Sequence, residues 1–308
     1  MQLDRTRIAI RERGILETID LAMLVIRDFT GPLITCALVA IVPLALINYA
    51  LVGRMVRVDD EGSLVWIRYL WAMTILVFLE APLASVFIVG YLGPAVFMEK
   101  RTIRQVAADV LRQAFPLLLC QGLLRGVMLA WLLYLLTESA EPNGWIEGFW
   151  MVIICLVAGG VRAFRPYINE IILLEKNPLL AGKSAAITVA KRSSHLHGAY
   201  SGDLFVRWFA TASVCLLLVC LAVYTAGLTE GFLFSKWPLR LSIEDGIIVS
   251  DIDWIDLHVL YPLCLWLVVT FLAVIRFLSY LDLRIRHEGW EVELLMRAEA
   301  VRLGTQLE

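Results

Sequence analysis

The sequence predicts an all-α, polytopic membrane bundle of six transmembrane helices, with amphipathic helices on its basic side. Three observations predict it. Mean hydropathy is +0.76, with 60% hydrophobic and only 18% charged residues, against about 25% charged in soluble domains. The apolar residues lie in blocks, several longer than the ~18 residues that separate a membrane span from a buried core helix. Lysine and arginine gather on alternate connecting segments, as cytoplasmic loops do.

Taken in order, the spans are 31–52 ("GPLITCALVAIVPLALINYALV"), 69–97, 115–136 ("FPLLLCQGLLRGVMLAWLLYLL"), 149–171, 206–228 and 257–279. At 1.5 Å per residue, 20 to 22 residues cross the ~30 Å hydrocarbon layer. The second block is long enough to tilt or to project. Helices are required, because each backbone polar group in lipid must be satisfied within its own segment. The chain reads as one integral membrane domain, 1–308, whose last part, 280–308, is an amphipathic cytoplasmic tail.

Orientation follows from the basic residues. Of 27 lysines and arginines, only Arg54, Arg57, Arg68, Lys236 and Arg240 fall on one set of loops, and Arg125 falls mid-span. The rest lie on 1–30, 98–114, 162–207 and the tail, so both termini are expected in the cytoplasm. The opposite loops are acidic, and Trp66, Trp71, Trp145, Trp150 and Trp254 cluster at that boundary, a level indole favours. The longest of these loops, 229–256, is expected to form a hairpin or cap. "MQLDRTRIAIRERG" carries charges of both signs and is not a secretory leader, so the N-terminus is expected to be retained.

A helix-like stretch precedes each odd-numbered span: "GILETIDLAMLVIRDF", "RTIRQVAADVLRQAF" and "LLAGKSAAITVAKRSSHLHGAYSGDLF". Apolar residues recur at three- and four-residue steps, as Ile15, Ile19, Ala22 and Leu24, or Ile103, Val106, Ala107, Val110 and Leu111. Such helices are expected to lie on the inner leaflet, giving a unit of surface helix and two spans repeated three times.

Charged residues inside the spans are the candidate functional groups. Glu80, in "VFLEAPLASVF", and Arg125, in "GLLRG", sit about ten residues into antiparallel neighbours and are expected to pair. Pro82 kinks the helix beside Glu80, and Gly122 and Gly126 permit close helix approach. The pair reads either as a proton or solute path or as a salt bridge that fixes helix register. A second cluster, Arg162, Arg165, Glu170 and Glu175, lies where span 4 leaves the membrane; Arg162 and Arg165 suit a lipid phosphate or snorkel to the headgroups. Arg165-Pro166 marks a break.

Other chemistry finds little support. A net charge of −2 and the absence of a basic aromatic stripe argue against nucleic acid. The six cysteines lie in apolar runs without metal or disulfide spacing. "AGKSAA" lacks the first glycine of a P-loop, and His195 and His197 are two apart and do not converge on a helix face. No metal or cofactor is called for.

The tail "RFLSYLDLRIRHEGWEVELL", with "LEAPLAS" and "FRPYINEIILLEKNP", resembles the bacterial membrane-domain-like group of glycerophosphoryl diester phosphodiesterase, through Tyr280, Asp282, Arg284, Arg286, Glu288, Gly289 and Glu291. The resemblance implies a membrane module of a bacterial inner membrane; no segment is long enough for that enzyme's catalytic barrel. Asp282 with Arg286 and Arg284 with Glu288 are four apart and can pair on one helix. The function expected is a non-enzymatic scaffold or assembly partner of other envelope membrane proteins, in contact with membrane lipids. The alternatives are a small-solute or ion transporter using Glu80, Arg125 and Arg162, and an intramembrane lipid-modifying enzyme.

Overall fold

A computed structural model describes residues 12–53, 63–99, 101–138, 144–179, 187–198, 200–234, 240–244, 247–251 and 256–289. Among these residues, four helices are long and apolar enough to cross a membrane: Thr30–Val52, Arg68–Val96, Ser201–Phe232 and His258–Glu288. Two bent pairs, Ala114–Leu123 with Val127–Leu136 and Gly148–Phe164 with Ile168–Leu174, bring the number to six when each pair counts as one span. All six coincide with the blocks read from hydropathy. The first outer loop, "AGKSAA" and the tail beyond Gly289 lie outside the described residues.

The elements run α1 (Ile15–Asp28), α2 (Thr30–Val52), α3 (Ser63–Ala84), α4 (Val86–Val96), α5 (Ile103–Arg112), α6 (Ala114–Leu117), a π-helical turn (Leu118–Leu123), α7 (Val127–Glu138), α8 (Gly144–Phe164), α9 (Ile168–Leu174), α10 (Val189–Gly198), α11 (Ser201–Phe234) and α12 (Tyr261–Glu288, entered by a π-helical turn, Asp256–Leu260). The chain between α11 and α12 includes an antiparallel two-stranded hairpin, β1 (Arg240–Glu244) with β2 (Ile247–Asp251), in register from Arg240 opposite Asp251 to Glu244 opposite Ile247.

The short helices α1, α5 and α10 precede the first, third and fifth spans, which fits the threefold pattern. Their buried faces are narrower than the sequence suggests. In α1 they are Thr18, Ala22 and Val25, while Leu24 is exposed; in α5 they are Val106 and Val110, while Leu111 is exposed. These helices pack on protein, α1 against α12 and α5 against α4, and that contact fixes which stripe is buried.

Helix α12 is the central post, in contact with α1, α3, α4 and α11. Helix α3 is the most enclosed span, with 78% of its apolar window buried together with α4, whereas α11 buries none of its window. Two apolar clusters fill the interior. One joins α1, α4, α5 and α9 to the C-terminal half of α12; the other joins α2, α3, α7 and α8 to its N-terminal half. Gly289, at φ 64°, ends α12 in the left-handed conformation that glycine adopts without penalty.

Candidate functional site: a guanidinium-lined cavity

The three breaks in the spans position the buried polar groups. Proline has no N–H, so Pro82 leaves the carbonyl of Phe78 without its helical donor. Arg162 supplies one: its Nη1 donates to Phe78 O and its Nη2 to Leu79 O. The guanidinium also lies 4.5 Å from the centre of the Phe78 ring. Where α3 passes into α4, Ser85 Oγ and Asn169 Nδ2 both donate to Pro82 O, at 2.8 and 2.6 Å. Asn169 in turn accepts from Gln121 Nε2, and Arg276 Nη2 donates to Ser85 Oγ at 2.7 Å.

The second break lies around Arg125. The π-helical turn Leu118–Leu123 ends with Leu124 N donating to Leu119 O, five residues back. Gly126 then takes φ +81°, and the helix axis turns by 60°. A Cβ on Gly126 would stand 2.8 Å from Ile154 Cγ2. Gly126 therefore serves a break as well as the close approach expected of it. The third break is the 59° bend between α8 and α9 at Arg165-Pro166. It leaves the Arg165 carbonyl free to accept from Arg125 Nη2 at 2.5 Å.

This arrangement corrects the expected pairing of Glu80 with Arg125. Glu80 is fully buried, but it accepts from Asn48 Nδ2 and Trp131 Nε1, each at 2.7 Å. No hydrogen bond or ion pair joins it to Arg125 among the described residues. Each residue was counted about ten residues into its span, but the extra π-helical residue rotates the chain after Leu123 by about 100° relative to a regular helix, a change of azimuth that counting does not reveal.

The expected cluster of Arg162, Arg165, Glu170 and Glu175 is also divided. Arg162 points inward and is 6% exposed, while Arg165 lies on the surface beyond the bend. Glu170 is fully buried and accepts from Arg276 Nε at 3.0 Å. Glu175 belongs to a separate network at the basic end. There it accepts from Arg192 at 2.6 and 2.9 Å and from Tyr280 OH at 2.8 Å. Burial works to raise the Glu175 carboxyl, but the hydrogen bonds from Arg192 and Tyr280 outweigh it and hold the group below its ordinary value. Arg192 also reaches Glu288, which pairs with Arg284 at 2.6 Å. Asp282 pairs with Arg286 at 2.8 Å and Arg207 at 2.9 Å, and accepts from the backbone N–H of Arg13 at 2.7 Å. The tail motif thus ties α9, α10, α11 and α12 to the segment before α1.

Between α3, α8, α11 and α12 lies a cavity of about 270 Å³. Its walls are mostly apolar, and Arg125, Arg162, Arg207 and Arg276 all line it. The polar and apolar parts are sorted by position. Along α12 the lining runs from Leu265, Val268 and Val269 to Arg276 and Ser279; along α11 it runs from Val219 and Leu216 to Trp208 and Arg207. These stretches of fourteen and twelve steps span roughly 20 Å of helix. Glu80 does not line the cavity.

Two of the four arginines are neutralised by neighbours: Arg276 by Glu170, and Arg207 by Asp282 and Asp203. Arg125 and Arg162 donate only to backbone carbonyls among the described residues. Within the same residues, Arg125 Nε and Nη1 and Arg162 Nε have no partner. An unpaired charge at hydrocarbon depth costs on the order of 2.5–3.5 kcal/mol on insertion scales, so two such residues facing one cavity are functional candidates. Sequence reasoning placed Arg125 and Arg162 in the membrane but missed Gln121, Asn169 and Arg276 near them, and Asn48 beside Glu80. The available signal was an uncharged polar residue in three different spans.

The geometry defines an all-α membrane bundle with a basic internal cavity. No family model, curated protein or solved structure matches the chain.

Proposed function

We propose that the protein is a non-enzymatic integral membrane protein that binds an amphiphile, its polar head among the arginines and its chain along α11 and α12. It sits in a bacterial inner membrane, with the basic end and both termini in the cytoplasm. The observation that carries this reading is the cavity, in which four arginines gather at one end of an apolar trough. Its volume is slightly below the ~300–1,000 Å³ of typical ligand pockets, enough for a head and the start of a chain. The exposed side chain of Leu216 lies at the trough's edge, where the rest of the chain meets lipid.

This reading departs from the assembly scaffold expected from sequence, in which intramembrane charges satisfy one another. It keeps the discontinuous spans expected of a transporter, with the route displaced from Glu80 to Arg125 and Arg162. The test is native mass spectrometry of the protein extracted in an uncharged detergent. One amphiphile should be retained per chain, and Ala212→Trp, which fills the trough, should abolish retention. Equal retention by the variant and the parent protein would overturn the proposal.

A further inference from the structure

We infer that Arg125 and Arg162 form the seat of a dianionic phosphate monoester at the head of that amphiphile, an inference that rests on the amphiphile reading above.

Charge count and geometry carry it. Among the described residues, three guanidiniums, Arg125, Arg162 and Arg276, stand around the inner part of the cavity, with one carboxylate in contact with them, Glu170 through Arg276. Three minus one leaves an excess of two positive charges. Glu80 does not offset it by contact: it accepts from Asn48 and Trp131 and reaches none of the three arginines among the described residues. Arg125 and Arg162 are 2% and 6% exposed, so solvent does not supply the counter-charge. The donors already engaged go to the carbonyls of Arg165, Phe78 and Leu79, which orient the guanidiniums without neutralising them. Three N–H-bearing nitrogens remain without a partner among the described residues: Arg125 Nε and Nη1, and Arg162 Nε.

A guanidinium presents its donors in a planar fork that matches the oxygens of phosphate and carboxylate. The unengaged donors are almost wholly covered as the side chains stand, so the charge count decides. Two excess charges suit an anion that carries two, and a phosphate monoester is such an anion. A carboxylate or a phosphate diester leaves one positive charge unmatched, and a zwitterionic head would bring a cation toward Arg276 and Arg207.

The experiment titrates the purified full-length protein, in an uncharged detergent, with four probes: a 1-acylglycerol 3-phosphate, a fatty acid and a monoacylglycerol of the same chain length, and inorganic phosphate. The phosphomonoester should bind at least tenfold more tightly than the other three. Its affinity should rise several-fold between pH 5.5 and 7.5, as the head gains its second charge with a pKa of about 6. Arg125→Gln and Arg162→Gln should each erase the preference, bringing the phosphomonoester down to the affinity of the monoacylglycerol. Equal affinity for the phosphomonoester and the monoacylglycerol would overturn the seat and leave the amphiphile reading standing. Equal affinity for the fatty acid would overturn the assignment of a dianion. Inorganic phosphate binding as tightly as the phosphomonoester would overturn the amphiphile reading and this assignment with it. The ranking is read on the unmodified protein, so it holds if either glutamine variant fails to fold.

Discussion

The guanidinium of Arg162 donates to the carbonyl of Phe78, the acceptor that Pro82 leaves without an amide four residues on. A buried cation is thereby held by a defect in a neighbouring helix, with a second hydrogen bond to Leu79 O. The proline and the arginine are energetically linked, although they stand 80 positions apart in the chain.

Arg162→Gln should lower stability by about 2–3 kcal/mol, since hydrogen bonds to charged groups contribute about 1.5–3 kcal/mol. In a Pro82→Ala background the new N–H can serve Phe78 O, and the same change should cost about 1 kcal/mol less. Unfolding in mixed micelles of the two single variants and the double variant measures the coupling. Strict additivity would show that the two sites are independent.

Glu80→Ala should destabilise the bundle by about 2–4 kcal/mol, because it orphans the buried donors of Asn48 and Trp131. Glu80→Gln keeps an acceptor and should cost less. The exchange Glu80→Arg with Arg125→Glu should not restore stability, since neither residue reaches the other. Recovery to within 1 kcal/mol of the parent protein would contradict the observed partners.

Acid should weaken the packing of α10. His197 is 2% exposed; its Nδ1–H donates to Ser193 O at 2.7 Å, and its Nε2 accepts from Tyr167 N at 3.4 Å. Burial, with smaller effects from Arg125 and Arg165, pushes the imidazole down to about 4, against the opposing hydrogen bond to Ser193. The folded pKa lies below the unfolded value near 6.5. The contribution is therefore whole above pH 6.5 and declines as pH falls from 6.5 to 4, by about 3 kcal/mol at most. Glu175, held low by Arg192 and Tyr280, contributes stability that is lost at still lower pH, as its carboxyl takes up a proton. Thermal midpoints against pH should fall through the first window, and His197→Gln should flatten that part of the curve.

Gly126→Ala should cost about 1–3 kcal/mol, because it combines a positive φ with a methyl 2.8 Å from Ile154 Cγ2. A methyl on Gly160, in α8, would meet nothing within 4 Å. Gly160→Ala should be neutral or stabilise by up to about 1 kcal/mol. Paired melting curves separate the two, and equal losses would mean that the break after Arg125 has no conformational demand of its own.

Hydropathy located the first four spans to within about three residues, and fell short of the fifth and sixth helices by up to five and nine residues, because lipid imposes a length and a polarity on every segment that crosses it while a helix can continue beyond it. Proline marked Arg165-Pro166 as a break for the same kind of local reason. The site was less legible. Depth along a span follows from counting, but direction around it depends on the helix staying regular. The π-helical turn before Arg125 and the bend after Phe164 both change that direction. Arg162 and Arg165 therefore part company, and Arg125 turns away from Glu80, which Asn48 and Trp131 meet instead. The pairs Asp282–Arg286 and Arg284–Glu288 were readable because they lie on uninterrupted helix, where a spacing of four fixes both position and direction. Arg192 and Arg207 join those pairs from other helices, which no spacing could indicate.

Helix α11 has 34 residues, about 51 Å of rise against ~30 Å of hydrocarbon, and the residues of its apolar window are half-buried or exposed, none fully buried. The excess length must be taken up by tilting or projecting, and the tilt adopted depends on the thickness of the host bilayer. Since α11 is also one wall of the trough, hydrophobic mismatch would act directly on the width of the proposed binding site. Thin and thick membranes would thus present the same ligand with differently shaped receptors.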